Sequence, residues 1–254
     1  MLLKNISKDK LRGYIYDTRS EMGKAAAKKA AEVINEITKT KEYVNVVFAA
    51  APSQNEMLEA LLCENVDFSR INAFHMDEYV GFDIDVPQSF AVYLTEHIFA
   101  KTAFHKVSYI GIKGLNTEET LERYTKLLEE NPIDIVLLGI GENGHIAFND
   151  PPVADFKDKL LIKKVALDEK CRNQQVHDGC FPTISDVPTH ALTLTVPALL
   201  SAKYMICTVP AVTKAQAVCD MINGDIGEHC PATAMRNHDG AFLFLDRDSA
   251  SMIL

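Results

Sequence analysis

Four short segments of the chain combine residue types that move protons or hold anions. In GIGENGHIAFNDPP (139–152), one imidazole stands among three glycines, two asparagines and an aspartate, directly after the apolar run DIVLLG. Such a histidine, His145, exchanges protons near neutral pH, and Asn143 and Asp150 are placed to orient it or stabilise its charge. The glycines, Gly144 among them, permit tight turns and close approach of the backbone to a ligand. In FHMDEYVG (74–81) two carboxylates, Asp77 and Glu78, stand where an apolar strand meets a loop. Neighbours in an extended chain face opposite ways, so one of the two turns toward a cleft at a time. A carboxylate beside apolar and aromatic neighbours gains proton affinity and serves as a base. AAAPSQNEML (49–58) puts Ser53 and Gln54 at the head of a helical pattern, and Ser53 with Glu56 fits the S-x-x-E capping box with Ser53 as N-cap. The amides and positive dipole end of such a helix suit a phosphate, although the same box also starts plain helices. In VPAVTKAQAV (209–218), Lys214 offers an ammonium near a helix start, either to a phosphate or to solvent.

These residues need a scaffold that brings distant segments together. EMGKAAAKKAAEVINEIT (21–38) has Ala27, Ala30, Ala31, Ile34 and Ile37 on one helical face, with lysines mostly opposite. Residues 54–63, 89–100 and 117–130 read as further helices, the last with Thr117 as N-cap. YVNVVFAA (43–50), INAFHMD (71–77) and IDIVLLG (133–139) read as buried strands, followed by strand candidates at 160–167, 190–196, 204–209 and 241–245. Strands alternating with helices predict a three-layer α/β/α, Rossmann-like fold: an open, mostly parallel sheet with helices on both faces. Ligands of such sheets bind outside the carboxyl ends of the strands, at the switch point in strand order. All four polar segments follow strands, so they open on one side. With no repeat, low-complexity tract or linker, residues 1–254 are expected to form a single domain.

The bulk numbers narrow the function. A net charge of −9 and a pI near 5.4 supply no basic stripe for nucleic acid. No apolar run reaches the length of a membrane span, and the start of the chain lacks a signal-peptide core, so a cytoplasmic protein is expected. The six cysteines are irregularly spaced without a CxxC pair, which reads as reduced thiols. His177 and Cys180 have the spacing of some zinc ligands but no second ligand pair, so no metal site is expected.

Together FHMDEYVGF (74–82) and LLGIGENGHIAFNDP (137–151) resemble the glucosamine-6-phosphate deaminase (isomerase) family. PQSF (87–90), DVPTHALTLTVPALLSA (186–202) and the Lys214 helix support the match, which runs in order from about residue 20 to 245. The 6-phosphogluconolactonases of the same superfamily carry a DER-like and a GHTASLFP-like segment instead. The resemblance implies conversion of a hexosamine 6-phosphate, by default glucosamine 6-phosphate, to a ketose phosphate and ammonia without metal or organic cofactor. It implies that Asp77 is the base between C2 and C1, and that His145 assists ring opening. Asp150 stands where the family usually has glutamate, and Asn143 where it has aspartate or asparagine. It further implies phosphate contacts from Lys214 and Ser53, with Gln54, Gly144 and Glu78 as neighbouring binding positions. It leaves a homo-oligomer open, since the family includes monomers and hexamers.

Three departures stand out. The family's TGGTP-like phosphate loop is replaced by Ala50, Ala51, Pro52, Ser53 and Gln54, which loses both glycines. Gln175 stands where well-studied members place a phosphate-binding arginine, and Arg172 is the nearby candidate to substitute for it. Asp150 is a methylene shorter than glutamate. The catalytic half therefore matches while the phosphate half is altered. That leaves as alternatives the galacto epimer as substrate, a non-catalytic sugar-phosphate sensor, and a lactonase-like hydrolase.

Overall fold

The computed structural model describes residues 1–254. The chain opens on an antiparallel hairpin, β1 (Leu2–Lys8) and β2 (Leu11–Tyr16), ahead of the first element expected from sequence. Then come α1 (Arg19–Ile37), β3 (Val44–Phe48), α2 (Asn55–Leu61), β4 (Ile71–His75), β5 (Asp77–Tyr79), α3 (Phe90–Leu94) and β6 (Lys106–Ser108). The second half contains α4 (Thr117–Glu130), β7 (Ile135–Leu138), β8 (Ile162–Ala166), α5 (Glu169–His177) and β9 (His190–Leu194). It closes with α6 (Val196–Leu200), β10 (Tyr204–Val209), α7 (Ala215–Asn223) and β11 (Ala241–Asp246). No helix is long and apolar enough to cross a membrane.

The large sheet has eight strands in the order β1-β2-β11-β10-β7-β3-β4-β6 and is parallel apart from the β1–β2 pair. Alternating side chains of its central strands enter two separate cores. Val47, Val136 and Leu138 pack with Tyr124 and Leu128 of α4, while Val46, Phe48, Ile135 and Leu137 pack with the alanine face of α1. Each core holds 35 buried residues, so both faces are covered to the same extent, as a parallel sheet requires. The chain runs outward through β3, β4 and β6, then returns to place β7 on the other side of β3. This reversal makes the β3–β7 boundary the switch point.

Four local expectations are corrected. The run 71–77 is not one strand. It breaks at Met76, and Asp77 begins β5 in a separate antiparallel sheet, β5-β9-β8, which also takes the segments around 160–167 and 190–196. Alternation alone cannot tell which sheet a strand joins. Ser53 is not an N-cap: it lies inside a 3₁₀ turn, Pro52–Gln54, that feeds α2 without a side-chain cap, and Glu56 instead pairs with Arg19 at 2.6 Å. The cap of α4 is Asn116, one residue before Thr117, in a reciprocal capping box with Glu119. Residues 89–100 are helical, but α3 gives way to a π-helical turn over Thr95–Phe99.

Candidate active site

The carboxyl ends of β3, β4 and β7 open into one cavity at the switch point, lined by 16 residues that include Ser53, Gln54, Asp77, Gly141 and His145. Asp77 arrives there because the backbone leaves the parallel sheet at Met76 and pairs with Thr193 of β9. Its carboxylate is buried and accepts no hydrogen bond from the protein. Burial, reinforced by the neighbouring Glu78 carboxylate, pushes Asp77 well above the ordinary carboxylate range. Glu78 faces the other way, as strand geometry demands. Its carboxylate accepts from the amides of Tyr79 (2.9 Å), Phe90 (3.2 Å) and Ala91 (3.0 Å), tying β5 to the start of α3. Burial raises it to about 7 despite those three donors. Glu78 therefore braces Asp77 from behind, and its expected place among the binding residues is corrected.

The loop after β7 folds back on itself to present His145. The Gly141 amide donates to the His145 carbonyl at 2.9 Å, and the Gly144 amide to the Gly141 carbonyl at 3.0 Å. A Cβ at Gly141 would lie 2.2 Å from the His145 ring, so the imidazole lies flat against bare backbone. The imidazole Nδ1 meets the Asp150 carboxylate at 2.8 Å, leaving Nε2 as the nitrogen free of that contact. The shorter side chain of aspartate thus still reaches the ring. Burial works against the ionised Asp150, but His145, Asn143 and the Asp168 amide outweigh it and hold the carboxyl below its ordinary value. Asn143 donates to Asp150 (2.9 Å) and accepts from the His145 amide (3.1 Å). Gly144 has φ +82°, and a Cβ there would meet the Cys230 sulfur at 2.6 Å. The glycine is thus required by a turn packed on Cys230.

Toward the α2 side, Gln54 is fully buried. Its amide donates to Ser53 Oγ (3.1 Å), and its carbonyl accepts from Thr208 Oγ1 (2.9 Å). Ser53 therefore keeps its own hydroxyl proton for a ligand. Lys214 ends a 3₁₀ turn, Val212–Lys214, and is buried with no hydrogen-bond partner for its ammonium. Burial lowers its pKa, opposed by Asp178 and Glu142 nearby. Arg172 does not line the cavity: its Nη2 donates to the carbonyls of Ile184 (2.6 Å) and Val187 (2.9 Å), while its buried Nε has no partner. His177 faces Glu142 at 3.6 Å.

Thr193, Gln174 and Cys171 were not singled out as site residues from sequence, whereas Gln175 was noted there as a departure at an arginine position. Thr193 holds both halves together: its strand pairs with Asp77, and its hydroxyl accepts the amide of Phe148 at 3.0 Å. Gln174 and Gln175 of α5 line the cavity, with Gln175 accepting from the Tyr79 hydroxyl (2.9 Å). The adjacent glutamines were visible in the sequence, but only the packing of α5 turns them inward. His145, Asp150 and Cys171 bring an imidazole nitrogen, a carboxylate oxygen and a thiol within 4.8 Å of one another. Burial pushes that thiol far above the ordinary thiol range, so it stands there neutral.

The chain as a whole has clear counterparts among known proteins. A family model described as "Glucosamine-6-phosphate isomerases/6-phosphogluconolactonase" matches residues 17–244. A glucosamine-6-phosphate deaminase of Listeria monocytogenes serotype 4a is 35% identical over 90% of this chain and 96% of its own length. One of Streptococcus pneumoniae is 33% identical over 81% of this chain and 85% of its own. The solved structure of a monomeric glucosamine-6-phosphate deaminase superposes with TM-score 0.85 at 29% identity, covering 94% of this chain and 99% of that one. A 6-phosphogluconolactonase from Thermotoga maritima shares the fold at TM-score 0.75 and 19% identity over 93% and 99% of the two chains. The chain belongs to the glucosamine-6-phosphate isomerase/6-phosphogluconolactonase family.

Proposed function

We propose that the protein deaminates and isomerises a hexosamine 6-phosphate, taking glucosamine 6-phosphate and water to fructose 6-phosphate and ammonia. The observation that carries this reading is the pairing of two proton-transfer groups in one cavity. Asp77 is a buried carboxylate with raised proton affinity and no protein donor, and His145 is an imidazole with Nδ1 on Asp150. Opening a pyranose ring moves a proton onto the ring oxygen, which suits His145 Nε2. Moving a proton from C2 to C1 of the opened sugar suits Asp77, because a buried carboxylate is a stronger base than a solvated one. The resulting enamine becomes an imine at C2, and water replaces its nitrogen, releasing ammonia and leaving the ketose. Lys214 and the Ser53 hydroxyl supply a cation and a donor for the phosphate, which holds the reacting carbons in place.

The relatives above 30% identity named here are deaminases, whereas the lactonase shares only the fold. Purified protein is to be given glucosamine 6-phosphate, galactosamine 6-phosphate and 6-phosphogluconolactone in parallel, with ammonia and ketose phosphate measured by coupled assay. Ammonia and fructose 6-phosphate from the gluco sugar are expected. Turnover of the galacto epimer alone would move the substrate and keep the chemistry. Lactone hydrolysis without ammonia release would overturn the reading. Saturable sugar-phosphate binding without turnover would make the protein a sensor.

A further inference from the structure

We infer that Asp168 is a positioning residue for the His145–Asp150 pair, acting through Asn143; this rests on the reaction proposed above. Asn143 Nδ2 lies between two carboxylates, 2.9 Å from Asp150 Oδ1 and 3.2 Å from Asp168 Oδ2. A primary amide has two hydrogens, and here each faces one carboxylate. The amide oxygen of the same side chain accepts from the His145 backbone at 3.1 Å. Asp168 is held in turn from two sides. Its other oxygen caps α5 by accepting the Cys171 amide at 2.6 Å, and its own amide points at Asp150 Oδ2 from 3.5 Å. The chain of contacts therefore runs from the His145 imidazole through Asp150 and Asn143 to the first turn of α5.

Two consequences follow from the donor count. Asn143 is the one side chain that bonds both carboxylates, so an aspartate there would bring three carboxylates together with no side-chain amide to bridge them. The cost of that aspartate depends on Asp168 being charged. In addition, α5 carries Gln174 and Gln175 into the cavity wall, so the cavity wall and the imidazole are fixed by one anchor.

The test uses Asp168→Asn, Asn143→Asp and the double variant in the intact chain. Asparagine caps a helix about as well as aspartate, so a purely structural cap predicts no change for Asp168→Asn. A positioning role predicts unchanged thermal stability and KM with kcat down about tenfold, because the new amide turns donors toward the donors of Asn143. Asn143→Asp is expected to lower kcat about a hundredfold, and adding Asp168→Asn should restore about tenfold of that loss. The imidazole Nδ1 proton resonance of His145, followed by NMR in the same variants, should shift in each single variant and move back in the double. Wild-type kcat with an unmoved resonance in Asp168→Asn, or losses that multiply in the double variant, would overturn the inference. If the wild type turns over no amino-sugar phosphate, the proposed reaction fails. The resonance then decides the positioning role alone: shifts that reverse in the double variant support it, and unmoved signals remove it.

Discussion

At the scale of single residues, the site places charges and glycines where stability alone would not put them. Asp77 is the clearest case. Its folded proton affinity is raised by burial, so its contribution to stability is present when the carboxyl is protonated and is lost as the pH rises through the folded value. Asp77→Asn should therefore melt at a higher temperature than wild type at about pH 7 and at the same temperature at about pH 3. The same variant should lose at least about a hundredfold in turnover. Thermal melts at both pH values with kinetics on one preparation check this, and a variant both active and no more stable would refute it. Gly141→Ala tests the imidazole's seat. The new methyl would overlap the His145 ring, 2.2 Å away, and push it off Asp150. The expected result is a folded protein with kcat reduced about a hundredfold, as for other small displacements of a catalytic group. The candidate residues Asp77, His145 and Asp150 were legible in sequence because their types are rare beside apolar strands. The backbone partners of Arg172 and Glu78 were not legible, because spacing does not reveal which backbone groups a side chain meets.

At the scale of elements, the sequence showed where helices and central strands lie but not how strands are shared between sheets. β7 is an unbroken apolar run and β3 is interrupted only by Asn45, so both read as buried strands. The split at Met76 had no local signal, since 71–79 stays buried throughout and only the pairing with β9 distinguishes its two parts. β6 is three residues long and escaped notice for that reason. Glu78 joins two of these elements. Removing it in Glu78→Ala strands three buried amides and should cost about 1–3 kcal/mol in chemical denaturation. Its folded pKa, raised from 4.5 to about 7, carries the opposite sign from a surface carboxylate. Its contribution is present below pH 4.5 and is lost as the pH climbs through about 7. A stability profile of wild type against Glu78→Ala should therefore show the difference shrinking across that window.

At the scale of the whole molecule, the cavity sits where two sheets meet, and binding there is linked to folding. The buried Lys214 ammonium has no hydrogen-bond partner within the protein, and the proposed function gives it the sugar's phosphate. Inorganic phosphate should raise the melting temperature of wild type in proportion to occupancy. Lys214→Met should melt higher without phosphate, show no phosphate shift, and raise KM for the sugar phosphate about tenfold or more. Calorimetric scans with and without phosphate decide it. The hairpin β1–β2 bears on how this molecule comes into being. β2 borders the parallel sheet only through β11, with Arg12 opposite Phe242. During synthesis the first strands made must therefore wait for the last one. Until then their edge stays open, while the central strands β3, β4 and β7 can already associate. Sheet completion is thus a late, long-range loop closure, which places the slow step of folding and the window for misassociation at the end of translation.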